Sequence, residues 1–294
     1  MCVETLHLCM HEHYEDCPWR EQALYAMDSR NQMLCGYYAF GEYRFPRSNL
    51  ELIYKDRRDD GLLSICYPIK LDLAIPSFSL HYITACREYL EHSKDITFIA
   101  GIYPKLQSII SAFTKRIENG LFQPFAGKSY WNFYEWTENL DNWGLTEFSS
   151  DLLSNALLSL AMQNMATIAK KLGIENVYQT QAAQLNVNIQ KVFLDNEKGI
   201  FYNYADRISY SQLGNAVAVL CGAVTGADAE ALCEKLLNDP QMTKISLSMR
   251  CFLYDALLKT NKKKIRVCCF RKYRKDICTY AESRQYHRLG NRAG

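Results

Sequence analysis

Three carboxylates close to one another in the chain carry the strongest chemical signal. The segment Asp16 to Asp28 reads DCPWREQALYAMD and brings Asp16, Glu21 and Asp28 together. Pro18 suits the first position of a helix, where its missing N–H costs nothing. The spacing therefore predicts a helix from about residue 19 to 40. Glu21 and Asp28, two turns apart, would project from nearly one face of it, with Tyr25 between them. Asp16 lies just before this helix, within reach of its first turn. Two or three carboxylates beside aromatic rings suit cleavage of a glycosidic bond, where one protonated acid donates and the others stay ionised or hold hydroxyls. Types and spacing alone leave a plainer alternative open, in which Glu21 complements a helix dipole and Asp16 caps a turn.

A second cluster is aromatic: Tyr130, Trp131, Phe133, Tyr134 and Trp136. Indole faces stack on the C–H faces of sugar rings, and Glu135 or Glu138 could bind hydroxyls between them. The alternative is a core cluster, since aromatic side chains dominate cores generally. A third group, Cys9, His11, His13 and Cys17, would put its first three members on one face of a strand. It lacks the paired Cys and His spacing of a zinc site, and no metal is expected. No glycine-rich phosphate loop and no Ser-His-Asp pattern is evident, and no cofactor is expected.

The carboxylate segment resembles the signature of the bacterial α-L-rhamnosidases of glycoside hydrolase family 78, which begins Asp-Cys-Pro-x-Arg and continues with one or two acids. Asp16, Cys17, Pro18 and Arg20 match it. Members differ in whether the fifth or sixth residue after the aspartate is the acid. Gln22 occupies the sixth place and cannot donate as an acid, so the resemblance gives general acid catalysis to Glu21. It implies that Asp16 and Asp28 bind rhamnose hydroxyls, with Tyr25 on the same face. It also aligns Trp131, Phe133, Glu135 and Trp136 with a Trp-x-Phe-x-acid-Trp segment lining the sugar pocket, glutamate standing where aspartate is usual. Further similar runs are GLLSICYP, LDLAIPSFSLHYI, RIENGLFQPF, SQLGNAVAVLCGAVTG and SLSMRCFLYDALLK, so the likeness extends from about residue 5 to 260. The resemblance implies inverting hydrolysis of terminal α-L-rhamnosides, a rhamnose-containing glycoside or oligosaccharide as partner, and a burial-raised pKa for Glu21.

Helical periodicity must position these residues. Leu152, Leu153, Ala156, Leu157, Leu160, Ala161 and Ile168 trace one apolar stripe within residues 148–172. Residues 99–117 repeat the pattern, broken near Pro104, and leave through the turn signal Asn119-Gly120. Similar segments cover 77–92, 175–193, 211–222, 226–238 and 244–260, with strands expected only at 6–10 and 62–67. These make about eight helices in sequential pairs, an all-α pattern that fits an (α/α)6 toroid, the six-hairpin glycosidase architecture. A full toroid has about twelve helices, so about four are expected to be missing at the C-terminus.

Hydrophobic residues make up 48% and charged residues 22% of the 294, enough for one sizeable core. No apolar run approaches the roughly 18 residues of a membrane span, and MCVETLHLCMHEH lacks the basic start and apolar centre of a secretory signal. Most of the twelve cysteines fall in apolar helical patterns and read as reduced, so a cytoplasmic setting is expected. Charge divides the chain. Residues 1–260 carry 23 basic and 30 acidic side chains; residues 261–294 carry 11 basic ones against Asp276 and Glu282. Taken literally, that basic tail is a nucleic-acid or anionic-surface binder. The favoured reading is a tail translated out of frame after Asn261-Lys262-Lys263-Lys264, whose codons are A-rich. A one-nucleotide shift is compatible with a helix-like acidic sequence ending in Trp-Glu-Thr. The resemblance puts the family's general base in a Gly-x-Thr-x-x-Trp-Glu segment, so this chain is expected to lack that base and to have little or no activity, with a non-catalytic carbohydrate-binding relic as the alternative. The domain expectation is a partial catalytic body over 1–260 followed by the tail, with no nucleic-acid or membrane partner.

Overall fold

The helix centred on Ala161 shows why the chain folds as it does. Helix α6, Leu152–Leu172, starts where the Asp151 carboxylate accepts the Ser154 N–H and ends at Gly173 in the left-handed conformation. Apolar and small residues surround it on most sides, so it packs against several helices at once. A computed structural model describes residues 2–56, 58–69, 71–138, 140–143 and 149–260.

Among the described residues, nine further helices are α1 (Cys2–Leu8), α2 (Ala26–Phe40), α3 (Arg44–Tyr54), α4 (Pro76–Ser93), α5 (Ile96–Thr114), α7 (Tyr178–Phe193), α8 (Gln212–Cys221), α9 (Gly226–Asn238) and α10 (Arg250–Lys259). Three two-stranded antiparallel hairpins join them: β1 (Ile117–Glu118) with β2 (Leu121–Phe122), β3 (Trp131–Phe133) with β4 (Asp141–Trp143), and β5 (Leu194–Asp195) with β6 (Ile200–Phe201). Helices α2, α4, α6, α8 and α10 pack in that order, while α3, α5, α7 and α9 each pack against one or two of them. Burial separates the layers. Fourteen residues of α4 and nine of the ten in α8 are buried, against four of sixteen in α7 and four of thirteen in α9. Inner and outer helices alternating in this way are the (α/α) toroid expected from the periodicity.

The hairpin junctions repeat. Asn155 on α6 accepts the Phe122 N–H at 2.8 Å and donates back to its carbonyl, and Asn215 on α8 does the same with Phe201 at 2.8 Å in both directions. Each asparagine closes a β-hairpin that leaves an outer helix onto the next inner helix. The first of these hairpins turns through Asn119 and Gly120, both at positive φ, as the Asn-Gly signal requires. The ends of the described arc also touch: Asn31 on α2 donates to the Ser248 carbonyl, and the Arg30 guanidinium lies 5.0 Å from the Phe252 ring on α10.

Several local expectations are corrected. Residues 6–10 are not a strand, because α1 runs to Leu8, and residues 62–67 form bends without strand pairing. Helix α5 passes through Pro104 without a break. Helix α3 is an addition to the expected helices, with Pro46, Asn49, Leu50 and Ile53 on its buried face. The described cysteines are free thiols, among them buried Cys86, Cys221 and Cys233. Helices α5 and α6 are long and apolar enough to cross a membrane by composition; α6 owes this to its central place among inner and outer helices. The readings of the basic segment 261–294 lie outside the described residues.

Candidate active site

The expected helix from residue 19 does not form, and the reason is Asp16. Its backbone N–H donates to the Ala23 carbonyl at 3.1 Å, and its Oδ1 accepts the Ala23 N–H at 2.9 Å. That N–H would have been a helical donor. Gln22 then turns at φ 51°, a left-handed conformation no helix interior contains. Residues 16–23 therefore make a loop clipped at its base, and α2 begins only at Ala26, after Tyr25 in extended backbone. Glu21 and Asp28 still come together, but from the loop and from the first turn of α2 rather than from one helical face.

Glu21 stands exposed on the loop, and its Oε2 accepts the Tyr25 hydroxyl at 2.5 Å. The expectation that burial surrounds this carboxyl is thus wrong; the crowded one is Asp28. Burial first, then the charge of Asp16 and that of Glu21, push the Asp28 carboxyl up from 3.8 to about 6. Its place in the first turn of α2 opposes this only in part. The same charges act on Cys66, whose thiol burial, Glu21 and Asp16 raise to about 11. Asp16, Glu21 and Asp28 therefore share one electrostatic neighbourhood, in which Asp28 holds its proton up to about pH 6. Asp16 commits one oxygen to Ala23 and leaves the other without a hydrogen bond among the described residues.

A run of aromatic contacts links this group to the second cluster. Tyr25 meets Phe78 edge-on at 6.2 Å, Phe78 meets Phe133 at 6.1 Å, and Phe133 packs on Trp136 at 4.9 Å and on Trp131 at 5.0 Å. Backbone bonds fix the geometry: Trp131 N–H donates to the Ala74 carbonyl at 2.8 Å and the Ser77 hydroxyl to that of Phe133 at 2.6 Å, so β3 lies along the start of α4. Trp131 is half-buried, its indole N–H on Asp141 at 2.7 Å, while Trp136 is exposed. Glu135 differs from both. It is 1% exposed, its Oε2 accepts the Ser246 N–H at 2.7 Å, and its Oε1 is buried without a hydrogen-bond partner among the described residues. Burial pushes its carboxyl up. Glu135 thus ties the loop after β3 to the segment before α10, while Trp136 is the member of its segment open to solvent.

Beneath these residues lies a buried polar layer that the sequence did not announce. Arg30, two residues after Asp28, forms a bidentate ion pair with Glu88 of α4 at 2.9 and 2.7 Å. His81 is buried near Phe78 and Phe252, and burial together with the Arg30 charge lowers it to about 3, so it is neutral. Only the pairing of a charge on α2 with one on α4 could have flagged this layer, and the two lie 58 residues apart. The Cys9–Cys17 group does not converge. His11 pairs with Glu15 at 2.8 Å and His13 Nδ1 donates to the Tyr14 carbonyl at 2.9 Å. Among the described residues no three His, Cys, Asp or Glu side chains form a metal-sized group.

Comparison with known proteins bears on the family and the fold. The family described as the bacterial α-L-rhamnosidase six-hairpin glycosidase domain matches residues 1–265. Among solved structures, a glycoside hydrolase family 78 rhamnosidase of Bacillus sp. GL1 superposes with a TM-score of 0.83 at 28% identity, covering 95% of this chain and 30% of that one. A Klebsiella oxytoca rhamnosidase with rhamnose bound gives a TM-score of 0.80 at 21% identity over 95% of this chain and 54% of its own. A family 63 mannosylglycerate hydrolase of Thermus thermophilus, at 10% identity and a TM-score of 0.67, shares the fold over 92% of this chain and 89% of its own. The chain thus spans less than two thirds of the two rhamnosidases. No curated protein matches it.

Proposed function

The chain belongs to the bacterial α-L-rhamnosidase six-hairpin glycosidase domain family, and from that premise we propose that its carboxylate group binds a terminal α-L-rhamnosyl unit and supplies the general acid of an inverting cleavage, for which no water-activating base is assigned among the described residues. The observation that carries this reading is the convergence of Asp16, Glu21 and Asp28 from a clipped loop and a helix start, joined by aromatic packing to Trp131 and Trp136.

Each group has a role its chemistry suits. Glu21 is the general acid: Tyr25 steadies Oε2 and leaves Oε1 for the glycosidic oxygen. Asp28, protonated up to about pH 6, donates to or accepts from a sugar hydroxyl according to pH, and Asp16 accepts through its free oxygen. The charge that develops on the sugar ring during bond cleavage is positive, and clustered carboxylates stabilise it. Trp136, exposed beside half-buried Trp131, offers the ring face on which the sugar stacks. Glu135 acts from behind, by holding the Trp136 loop against Ser246.

The test is an aryl α-L-rhamnoside offered to the chain. Binding with little or no turnover is expected, the binding weakened by Asp16→Asn and kept in Glu21→Gln. Failure to bind, or hydrolysis that survives Glu21→Gln, would overturn the proposal.

A further inference from the structure

Two residues before Glu21, Trp19 is 87% exposed, more than any other large hydrophobic side chain among the described residues. It differs in kind from Trp136, which is 70% exposed but packs on Trp131 and Phe133. Trp19 has no ring contact or hydrogen bond among the described residues, and its indole stands in water. Nor is it on a floppy segment. Pro18 fixes the backbone before it, the Gln22 side chain donates to the Pro18 carbonyl at 3.4 Å, and Asp16 clips both ends of the loop to Ala23. A large flat side chain held in place by its backbone loses little freedom when it captures a ligand.

The position of Trp19 on this loop limits what it meets. A general acid must touch the oxygen of the scissile bond, and the far side of that oxygen is the leaving group. Chain segments flanking the acid therefore border the leaving group. Two residues of extended chain span at most about 7 Å, within the reach of an indole. The neighbouring side chains, Pro18 and Arg20, supply an apolar ring and a flat cation. Apart from Glu21 itself, no carboxylate lies between Cys17 and Tyr25 to bind leaving-group hydroxyls.

We infer that Trp19 is a specificity-determining residue that stacks on the leaving group, and that the site prefers α-L-rhamnosides whose leaving group is a flat aromatic ring. The inference rests on Glu21 serving as the acid of a rhamnoside site. Its geometry puts the sugar against Asp16 and Asp28 and the aromatic ring across Trp19.

The experiment titrates the 294-residue chain, and its Trp19→Ala and Trp19→Phe variants, with phenyl and methyl 1-thio-α-L-rhamnosides. Their sulfur linkage resists hydrolysis during the titration. The unmodified chain is expected to bind the phenyl compound about 3- to 10-fold more tightly than the methyl one, as one aromatic stack implies. Trp19→Ala is expected to erase that preference while leaving methyl binding unchanged, and Trp19→Phe to restore most of it. The side chain is in solvent, so neither variant should disturb folding. Binding of both compounds with a preference that survives Trp19→Ala would overturn this inference and leave the rhamnoside reading standing. No binding of either compound would overturn both.

Discussion

Replacing Asp28 with asparagine should make the protein more stable, and only at neutral to alkaline pH. The carboxyl is crowded by protein and by the charges of Asp16 and Glu21, which raise it from 3.8 to about 6. Because the folded value is the higher one, the folded protein takes up a proton before the unfolded chain does. The stabilisation that proton brings is complete below about pH 4 and is lost as pH rises through about 6. At pH 8 the ionised side chain therefore works against folding. At full strength a rise of this size corresponds to about 3 kcal/mol. Asp28 is partly open to solvent, which screens the effect, so about half of that is expected. Asparagine keeps the shape and never ionises. Urea unfolding should show Asp28→Asn more stable than the parent by about 1–1.5 kcal/mol at pH 8, with the advantage fading towards pH 4.5. Equal or lower stability of the variant at pH 8, or an advantage that grows towards acid pH, would refute the electrostatic account of this cluster.

Other consequences can be checked alongside. Glu88→Ala strands the Arg30 guanidinium in the interior and should cost about 3–5 kcal/mol in unfolding free energy, far beyond any exposed ion pair in the molecule. Asn155→Ala and Asn215→Ala should cost similar amounts, about 2–4 kcal/mol each by denaturant titration, since each unpairs a buried hairpin N–H and carbonyl. Tyr25→Phe should leave stability within about 1 kcal/mol by denaturant titration, because the hydrogen bond it removes, to the exposed Glu21, is one that water replaces. Glu135→Gln should keep the Ser246 tie and fold normally, whereas Glu135→Ala should lose it and weaken sugar binding through the Trp136 loop.

Helices of both layers are legible where apolar residues recur at helical spacing: inner α4, α6 and α8 and outer α7 and α9 lie close to where periodicity puts them. Helix α1 was misread because seven residues are too few to distinguish alternation from a helical turn. The start of α2 was misread for a more instructive reason. Pro18 is a good helix opener, but a single aspartate captured the Ala23 N–H and closed a loop instead, a competition between side chain and backbone that local propensity does not reveal. The same aspartate brings Glu21 and Asp28 together, through a loop geometry that the spacing does not suggest. Glu135 carries the opposite lesson. Its place between aromatic residues suggested a ligand-facing acid, whereas its partner is a backbone N–H 111 residues further on. Long-range pairs of this kind, like Arg30 with Glu88, leave no trace in spacing.

The most direct test of the account is the structure of the chain with L-rhamnose bound. The account predicts a single sugar whose hydroxyls reach Asp16 and Asp28, whose ring faces Trp136, and whose anomeric oxygen lies within about 3 Å of Glu21. A sugar bound elsewhere, such as the open cleft beside Asp60, Lys115 and Tyr130, with the Glu21 loop untouched, would contradict it.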